Sequence, residues 1–203
     1  MRVVPERFNL RTLCLWAVAI SLLAIPCYSQ FFPKSSLDSR GDDFKAEWYS
    51  AQLKALNEPS LFALTKVNDA ESYRFLWLRT FHHPVAIRLD RQVDGTWTLT
   101  TKVGSGAGGY KPGQLVTDKS RKLTAQEIQA FLAKVQGDQF WSAPNPVNDQ
   151  AGTDGSQWII EGAKAGKYHV VDRWMPKNGP ARDLGMFLAF DLAKLSIPNG
   201  EIY

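Results

Sequence analysis

The sequence predicts one α+β domain in which a mostly antiparallel sheet of about five or six strands carries three helices packed on it. Two observations predict this class. The helical and extended segments follow the order helix, three or four strands, helix, two strands, helix, and turn signals join neighbouring strands as hairpins, which makes them antiparallel. The composition of 203 residues, 44% hydrophobic and 22% charged, is typical of a globular domain.

The first 29 residues predict a secretory signal peptide. Arg2, Arg7 and Arg11 lie in a positively charged segment, "TLCLWAVAISLLAI" is apolar, and "PCYSQ" contains the small Ser29. This layout predicts cleavage after Ser29 and export to the periplasm or the extracellular space. The apolar run of about 14 residues is shorter than the roughly 20 that a membrane span needs. An uncleaved anchor, lengthened by "SQFF", remains the alternative, and the membrane would then be contacted only through this segment.

Residues 30–41 are interpreted as a tether and residues 42–203 as a single α+β domain. Cys14 and Cys27 are the only cysteines, so a chain cleaved after Ser29 has no zinc-thiolate site and no cysteine nucleophile. We predict no metal and no cofactor. The 21 basic and 19 acidic residues after the signal segment nearly balance, which argues against a nucleic-acid partner.

The first helix is predicted within "DFKAEWYSAQLKALN", with Asp42 as its N-cap and Pro59 after its end. Its predicted apolar stripe consists of Phe44, Trp48, Ala51 and Ala55. The next segment, "ESYRFLWLRTF", is dense in aromatic residues and is typical of a well-buried strand. Alternation along it leaves Arg79 as the only charge on a face that otherwise holds Tyr73, Phe75, Trp77 and Phe81.

The stretch "HHPVAIRLDRQVDGTWTLTTKV" predicts a hairpin. A three-residue loop, 93–95, with a left-handed Gly95 places Leu89 opposite Leu99 and Arg91 opposite Trp97. This register gathers the apolar residues on one face, whereas a two-residue turn mixes them with polar residues.

The glycine-rich "GSGAGGYKPG" allows a phosphate-binding loop, because backbone N–H groups can surround a phosphate where a loop leads into a helix. The following segment is instead predicted as a strand near Gln114–Leu123, and no GK[ST] motif is present. We therefore expect a flexible loop that can form the rim of a site.

Two helices complete the element order. Thr124 and Glu127 form a capping-box pattern before a helix that Gly137 ends. The apolar stripe of this helix is predicted to be Ile128, Phe131, Leu132 and Val135. The last helix begins at Pro180 and is apolar on more than one side, so we expect it to be buried.

The stretch "DGSQWIIEGAKAGKYHVVDRWMP" holds the candidate catalytic residues. A type I turn at 163–166 with a left-handed Gly166 places Glu161 opposite His169. A Glu–His pair can act as a general base with its orienting partner. The same pair also stabilises a sheet by about 0.2–1 kcal/mol without any chemistry, and the absence of an accompanying nucleophile or metal-ligand cluster favours this structural interpretation.

Two single charges interrupt the apolar pattern. In the predicted register Asp172 is the only charge on a face with Trp158, Ile160, Tyr168, Val170 and Trp174. A lone charge in an apolar interior is very costly, so we expect Asp172 and Arg79 to pair. The alternative makes Asp172 a third candidate catalytic residue, an acid with a raised pKa in a cleft. The candidate binding residues are Arg79, Asp154 and Arg173.

Three stretches, "YRFLWLRTFHHPVAIR", "GGYKPGQL" and "DGSQWIIEG…KYHVVDRWMP", resemble a group of small uncharacterised bacterial exported proteins. The resemblance covers most of the chain after the signal segment. It implies a bacterial domain family and carries no activity and no site residue with it.

Export, a near-neutral mature charge and the missing nucleophile signature predict a non-catalytic domain of the cell envelope. It would bind an envelope partner or a small ligand at the rim formed by the glycine-rich loop and "WSAPNPVNDQAGTDG". One alternative is an acid–base hydrolase or lyase that uses Glu161 and His169, with Asp154 as a further candidate. This alternative requires that the face holding Glu161 and His169 line a concave pocket. A subunit of a larger envelope assembly is the third possibility and requires a large exposed apolar patch.

Overall fold

The computed structural model describes residues 30–37, 42–67, 69–145 and 152–203. These residues form one antiparallel sheet of six strands with helices on it, the α+β fold that the sequence predicts. The strands are β1 (Glu71–Arg79), β2 (Val85–Arg91), β3 (Trp97–Gly104), β4 (Leu115–Lys122), β5 (Ser156–Lys164) and β6 (Lys167–Trp174). Their order across the sheet is β4-β3-β2-β1-β5-β6.

Helices cover both faces of the sheet. They are α1 (Asp42–Ala55), the short α2 (Leu61–Leu64), α3 (Ala125–Gly137) and α4 (Pro180–Met186), which continues as a π-helical segment (Phe187–Leu192). Single 3-10 turns lie at Phe140–Ser142 and Asn199–Glu201. Phe131 of α3 and Leu184 of α4 share one buried cluster with Trp77, so we call this side of the sheet the α3/α4 face. Tyr49 of α1 packs with Leu76 in a second cluster on the opposite side, the α1 face.

Aromatic side chains from the two central strands form the middle of the α3/α4 face. The ring centroids of Trp77 and Trp158 are 4.8 Å apart, and those of Phe75 and Trp158 are 5.1 Å apart. All three rings are buried, and burying each such side chain contributes about 1.5–3 kcal/mol. The strand pair β1–β5 is thereby fixed at the centre of the domain.

The first hairpin has the predicted register. Leu89 pairs with Leu99 and Arg91 with Trp97. Gly95 adopts a φ of 80°, and its N–H donates to the Gln92 carbonyl at 2.9 Å. The apolar side chains of this hairpin accordingly face the α3/α4 core.

Both later helices also match their predictions. Thr124 and Glu127 form the reciprocal capping box at the start of α3, which ends at Gly137. Phe131 and Val135 of the predicted stripe are buried. The last helix begins at Pro180 and buries its apolar side chains, among them Ala181, Leu184 and Leu188.

The predicted register of the final hairpin is wrong by one residue. Ala165 and Gly166 both have positive φ, 48° and 75°, and Lys164 pairs directly with Lys167. A two-residue loop with positive φ at both positions matches the natural twist of the strands better than a wider type I turn does. Only Gly166 was assigned the left-handed conformation from the sequence.

This shift changes every cross-strand pair of β5 and β6. His169 lies opposite Gly162, Glu161 lies opposite Val170, and Asp172 lies opposite Ile159 instead of Trp158. Because a slip of one residue moves side chains to the other face, Asp172 lies on the α1 face.

The predicted apolar stripe of the first helix is wrong at Phe44 and Ala51, although Trp48 does pack against the α1-face cluster. Phe44 is 70% exposed and Ala51 is exposed, whereas Tyr49, Gln52 and Leu53 are fully buried. The polar atoms of Tyr49 and Gln52 form hydrogen bonds inside the domain, so the buried side of α1 is less apolar than a simple pattern requires. The capping role predicted for the Asp42 side chain lies outside the described part of the chain.

Residues 30–37 pack against the domain, although the sequence assigns them to a tether. Phe31, Phe32 and Leu37 are buried in the α1-face cluster. The Ser60 hydroxyl donates to the Gln30 carbonyl at 2.6 Å.

The predicted signal peptide and residues 38–41 are outside the described residues. Within the described ranges, no helix is both long enough and apolar enough to cross a membrane.

Candidate functional site

The α1 face holds a buried group of opposite charges centred on Arg74 of β1. Its Nε and Nη2 donate to Glu161 Oε2 at 2.8 and 2.5 Å, and its Nη1 lies 3.4 Å from Glu58 Oε2. Arg88 Nε and Lys102 Nζ lie 2.8 and 3.3 Å from the two oxygens of Glu58. Buried ions persist when each is paired and hydrogen-bonded, and these five meet that condition.

Glu161 is fully buried within this group. Its second oxygen accepts a hydrogen bond from the Tyr168 hydroxyl at 2.8 Å. Burial raises the pKa of Glu161, and the Arg74 guanidinium opposes that shift. Because both of its oxygens are engaged and its side chain has no exposed surface, Glu161 is not placed to exchange a proton with a substrate.

His169 lies on the α3/α4 face, away from Glu161. Its ring centroid is 5.1 Å from that of Phe140 and 6.2 Å from that of Trp141. Burial lowers the pKa of His169, so the imidazole is neutral at neutral pH. The predicted Glu161–His169 pair therefore does not form, because the true hairpin register points the two side chains to opposite faces.

Asp172 pairs with α1 instead of with Arg79. Lys45 Nζ donates to Asp172 Oδ2 at 2.9 Å, and the Tyr49 hydroxyl donates to the same oxygen at 3.1 Å. The Gln157 amide, in the orientation that satisfies its nitrogen, donates to Oδ1 at 2.8 Å. Burial raises the pKa of Asp172, and Lys45 counteracts this effect.

The predicted Arg79–Asp172 pair is consequently wrong. Arg79 lies on the α3/α4 face, where its Nη1 is 3.1 Å from Glu201 Oε2 and its guanidinium lies 4.7 Å from the Trp77 ring centroid. The expectation that each of these two charges has a partner is confirmed, but both partners come from segments distant in sequence.

The remaining candidate binding residues are Asp154 and Arg173. Asp154 is exposed. Arg173 is half-buried and donates to Asn145 Oδ1 at 2.9 Å and to the Pro144 carbonyl at 2.5 Å. Arg173 thus holds the chain after α3 against the sheet edge.

A cleft of about 530 Å³ opens where β1 ends and β5 begins, and we call it the rim cleft. Phe44 and Tyr110 are 70% and 63% exposed at its edge, whereas Thr80 and Gln157 are buried in its floor. Its volume lies within the range of about 300–1,000 Å³ that is typical of ligand pockets. The lining residues are Phe44, Lys45, Trp48, Thr80, Gly109, Tyr110, Gly152, Thr153, Gln157 and Trp174.

The glycine-rich loop forms one wall of this cleft and is tied to two elements. From α1, Trp48 Nε1 and Gln52 Nε2 donate to the Gly108 carbonyl at 2.9 and 3.1 Å. On the sheet side, the Gly108 N–H donates to the His82 carbonyl at 2.8 Å. A Cβ atom on Gly108 would lie 2.7 Å from Leu78 Cα, so only glycine allows this approach. The loop leads into strand β4 and not into a helix, which disfavours the interpretation as a phosphate-binding loop. The sequence predicted a flexible connection, but these hydrogen bonds hold the loop in place as a wall of the cleft.

Asp172 lies beneath the rim cleft without lining it. Two of its hydrogen-bond partners, Lys45 and Gln157, do line the cleft. The buried carboxylate therefore fixes two polar side chains of the cleft. Across the described ranges, no group of three or more histidine, cysteine, aspartate or glutamate residues is placed to hold a metal ion.

Sequence reasoning missed Arg74, Glu58 and Lys45. Arg74 carried a usable signal, because it is a charge inside a strand that was predicted to be buried. Glu58 and Lys45 carried none, because a glutamate before a proline and a lysine on a helix are ordinary surface residues in a sequence pattern.

The comparison with known proteins adds no further assignment, since no model of a protein family and no curated protein matches the chain.

Proposed function

We propose that the protein is an exported bacterial binding domain of the cell envelope and that the rim cleft is its ligand site. The observation that carries this proposal is the composition of the cleft, in which exposed Phe44 and Tyr110 surround buried polar groups of Thr80 and Gln157. Apolar surface exposed around a concavity is typical of ligand sites, because a ligand removes that surface from water.

The positions of the former catalytic candidates support binding over acid–base chemistry. Glu161 and His169 lie on opposite faces of the sheet, and neither lines the rim cleft. The acid–base enzyme required both on one face of a concave pocket. The fixed glycine-rich loop supports binding further, because a wall that is already in place costs no ordering entropy when a ligand arrives.

Export is supported by the layout of residues 1–29 and by the packing that follows it. Phe31 and Phe32 are buried against the domain. They are thus unavailable to lengthen the apolar run of an uncleaved anchor, which is short for a membrane span without them.

The test uses the chain from residue 30 onward and a set of small probes. The set comprises neutral trisaccharides, single amino acids, a proline-rich decapeptide and a lauryl-chain detergent, and binding is followed through the indole N–H signals in NMR spectra. We expect at least one probe to shift the Trp48 and Trp174 signals in a saturable way. Tyr110→Ala should weaken this binding, and Val116→Ala, a similarly exposed residue on β4, should not. Binding that Tyr110→Ala leaves unchanged would show that the ligand site lies elsewhere.

A further inference from the structure

The edge strand β4 and a cleft beside it form a second surface, and we infer that this surface binds an extended acidic peptide as an added strand of the sheet. The cleft has a volume of about 610 Å³ and lies on the α3/α4 face, between β4 and residues 193–196. We call it the basic cleft. The described residues that line it are different from those of the rim cleft, so the inference goes beyond the proposed function and does not depend on it.

Strand β4 has backbone groups that its neighbour in the sheet does not use. It is an outer strand, and among the described strands it pairs only with β3. The Leu123 N–H donates to the Trp97 carbonyl at 2.9 Å, and in an antiparallel pair every second residue repeats this direction. The backbone N–H and C=O groups of Asp118, Ser120 and Lys122 therefore point away from β3. A row of such groups is a template for pairing with another chain.

The opposite edge of the sheet is partly closed, whereas the β4 edge is open. On β6, the Asp172 N–H donates to Asn145 Oδ1 at 3.0 Å, so the chain after α3 lies along that strand. On β4, the described residues make one hydrogen bond to the outward-facing backbone, from Arg121 Nη1 to the Lys122 carbonyl at 3.2 Å. This bond comes from β4 itself, and the edge remains accessible to a partner strand.

The charge of the basic cleft selects an acidic partner. Lys119, Arg121 and Lys194 line the cleft, and none of its described lining residues is acidic. Arg121 is already paired with Glu127 at 2.7 Å. Lys119 and Lys194 make no ion pair with any described residue. Carboxylates of a bound peptide would therefore meet two ammonium groups whose charge is not balanced.

The alternation of side chains along β4 also sets the pattern of the peptide. Neighbouring side chains of a strand point to opposite faces, so Lys119 and Arg121 face the basic cleft while Asp118 and Lys122, which have opposite charges, face the other side. A peptide strand beside β4 places every second side chain next to the cleft. Acidic residues at alternate positions are therefore favoured over a continuous acidic run.

Lys194 occupies a backbone conformation that is unfavourable for lysine. Its φ is 53°, and the next N–H, of Leu195, donates to the Ala189 carbonyl at 2.9 Å. Lys194 is thus the left-handed residue that ends the last helix, a position where glycine is usual. Residues held in such conformations cluster at functional sites, and the lysine side chain is what this position adds to the basic cleft.

A second copy of the chain is disfavoured as the occupant. Pairing of two β4 edges would bring Lys119 and Arg121 of both copies together, and like charges on adjacent strands are destabilising. A free anion would contact the lysines but would leave the open backbone groups unpaired. Lysines on an edge strand also prevent aggregation without any ligand, and that role predicts no specific binding.

The first experiment measures peptide binding to the chain from residue 30 by fluorescence anisotropy. The probe is a short labelled peptide in which glutamate and threonine alternate, and we expect saturable binding that weakens as salt is added. A peptide of the same composition with its glutamates in one run should bind more weakly. A version with proline in place of threonine should not bind, because proline has no N–H to donate to the edge strand.

The second experiment changes the protein. Lys119→Gln and Lys194→Gly should each weaken binding about three- to fivefold, the loss of one exposed charge contact. Lys194→Gly should do so without lowering Tm, because glycine adopts a positive φ without strain. The matched control is Lys167→Gln, which changes an exposed lysine on the other edge strand, β6, and should bind as the unmodified protein does.

Ser120→Pro tests the backbone pairing directly. The Ser120 N–H faces away from β3, so proline keeps the ladder between β3 and β4 and removes only a donor of the open edge. This variant should lose the binding of the alternating peptide. If it does not fold, the proline-containing peptide tests the same pairing from the side of the ligand.

Several results would overturn the inference. They are no binding of the alternating peptide, equal binding of the three peptides, and binding that Lys119→Gln and Lys194→Gly leave unchanged. Self-association of the unmodified protein that Ser120→Pro removes would assign the β4 edge to a second copy and would also overturn it. Each of these results leaves the rim cleft and its own test unaffected.

Discussion

At the scale of single residues, buried acidic and basic side chains of the α1 face neutralise one another. Arg74 bridges Glu161 and Glu58, and Lys45 neutralises Asp172. A buried pair of this kind adds little net stability, but losing one partner leaves the other charge uncompensated. Loss of the Glu161 charge is therefore expected to lower the stability of the domain.

We expect Glu161→Gln to lower the free energy of unfolding by about 3–5 kcal/mol, because the Arg74 guanidinium would then face an uncharged amide in a fully buried site. Urea denaturation measures the change. The control is Lys164→Gln, which breaks the 2.8 Å ion pair between Glu71 and a half-exposed lysine and should cost about 1 kcal/mol or less. Equal effects of the two substitutions would contradict this account of Glu161.

Glu127, in the capping box of α3, gives the domain a pH-dependent contribution to stability. Hydrogen bonds from Arg121 and from the Thr124 N–H lower the pKa of Glu127 from 4.5 to about 2. Because the folded pKa lies below the unfolded one, the carboxylate stabilises the fold above pH 4.5, and this contribution is lost as the pH falls to about 2. Glu127→Gln keeps a capping-box side chain without the charge. The difference in Tm between the two proteins should be full at neutral pH and much smaller near pH 2. A difference that does not change with pH would refute the assignment.

At the scale of elements, close backbone contacts decide the geometry of the site. The turn at Ala165 and Gly166 sets which face Asp172 occupies, and the contact of Gly108 with β1 sets the wall of the rim cleft. Neither contact involves a large apolar side chain, so hydrophobic periodicity does not report them.

We expect Gly108→Ala to displace the glycine-rich loop, because its Cβ would lie 2.7 Å from Leu78 Cα and 2.8 Å from Arg79 backbone atoms, which cannot rotate away. Thermal unfolding should show a clear loss of stability, and the NMR signal of the Trp48 indole N–H should move. Gly137→Ala is the matched control. A Cβ at Gly137, which ends α3, meets no atom within 4 Å, so this change should be neutral or stabilise by up to about 1 kcal/mol. An unmoved indole signal in a folded Gly108→Ala variant would mean that the loop is not held as described.

At the scale of the whole molecule, the sheet needs cover on both faces, and residues 30–37 supply part of it on the α1 face. Phe32 is 2% exposed and packs edge-on against Tyr49 with ring centroids 6.0 Å apart. The domain thus extends to residue 30, at the predicted end of the signal peptide.

We expect Phe32→Ala to destabilise the domain by about 3–5 kcal/mol, the usual result of emptying the space of a buried phenyl ring. Phe44→Ala removes the same side chain from a site that is 70% exposed, and it should change stability by no more than about 0.5 kcal/mol. Urea denaturation of both variants checks the contrast. A small effect of Phe32→Ala on the free energy of unfolding would mean that residues 30–37 are a tether, as the sequence predicted, and not part of the domain core.

Export has its own test, in cells that express the complete chain. We expect N-terminal sequencing of the protein from envelope fractions to begin at or near Gln30, because the charged, apolar and small-residue segments of residues 1–29 have the order that signal peptidases recognise. Recovery of an intact Met1 in the soluble cytoplasmic fraction would count against export.

The sequence by itself determined the α+β class, the first hairpin and the capped helix α3. These features depend on neighbouring residues, such as Gly95 in its turn or Thr124 beside Glu127, and local patterns report local contacts. Only the tertiary structure decided which face Asp172 occupies, which residues neutralise it, and that α1 and the glycine-rich loop meet to form the rim cleft. Lys45 and Asp172 are 127 residues apart. Their pairing depends on the register of the β5–β6 hairpin, which could differ by one residue, and on the packing of a distant helix. Neither of these produces a periodic pattern of residues in the sequence.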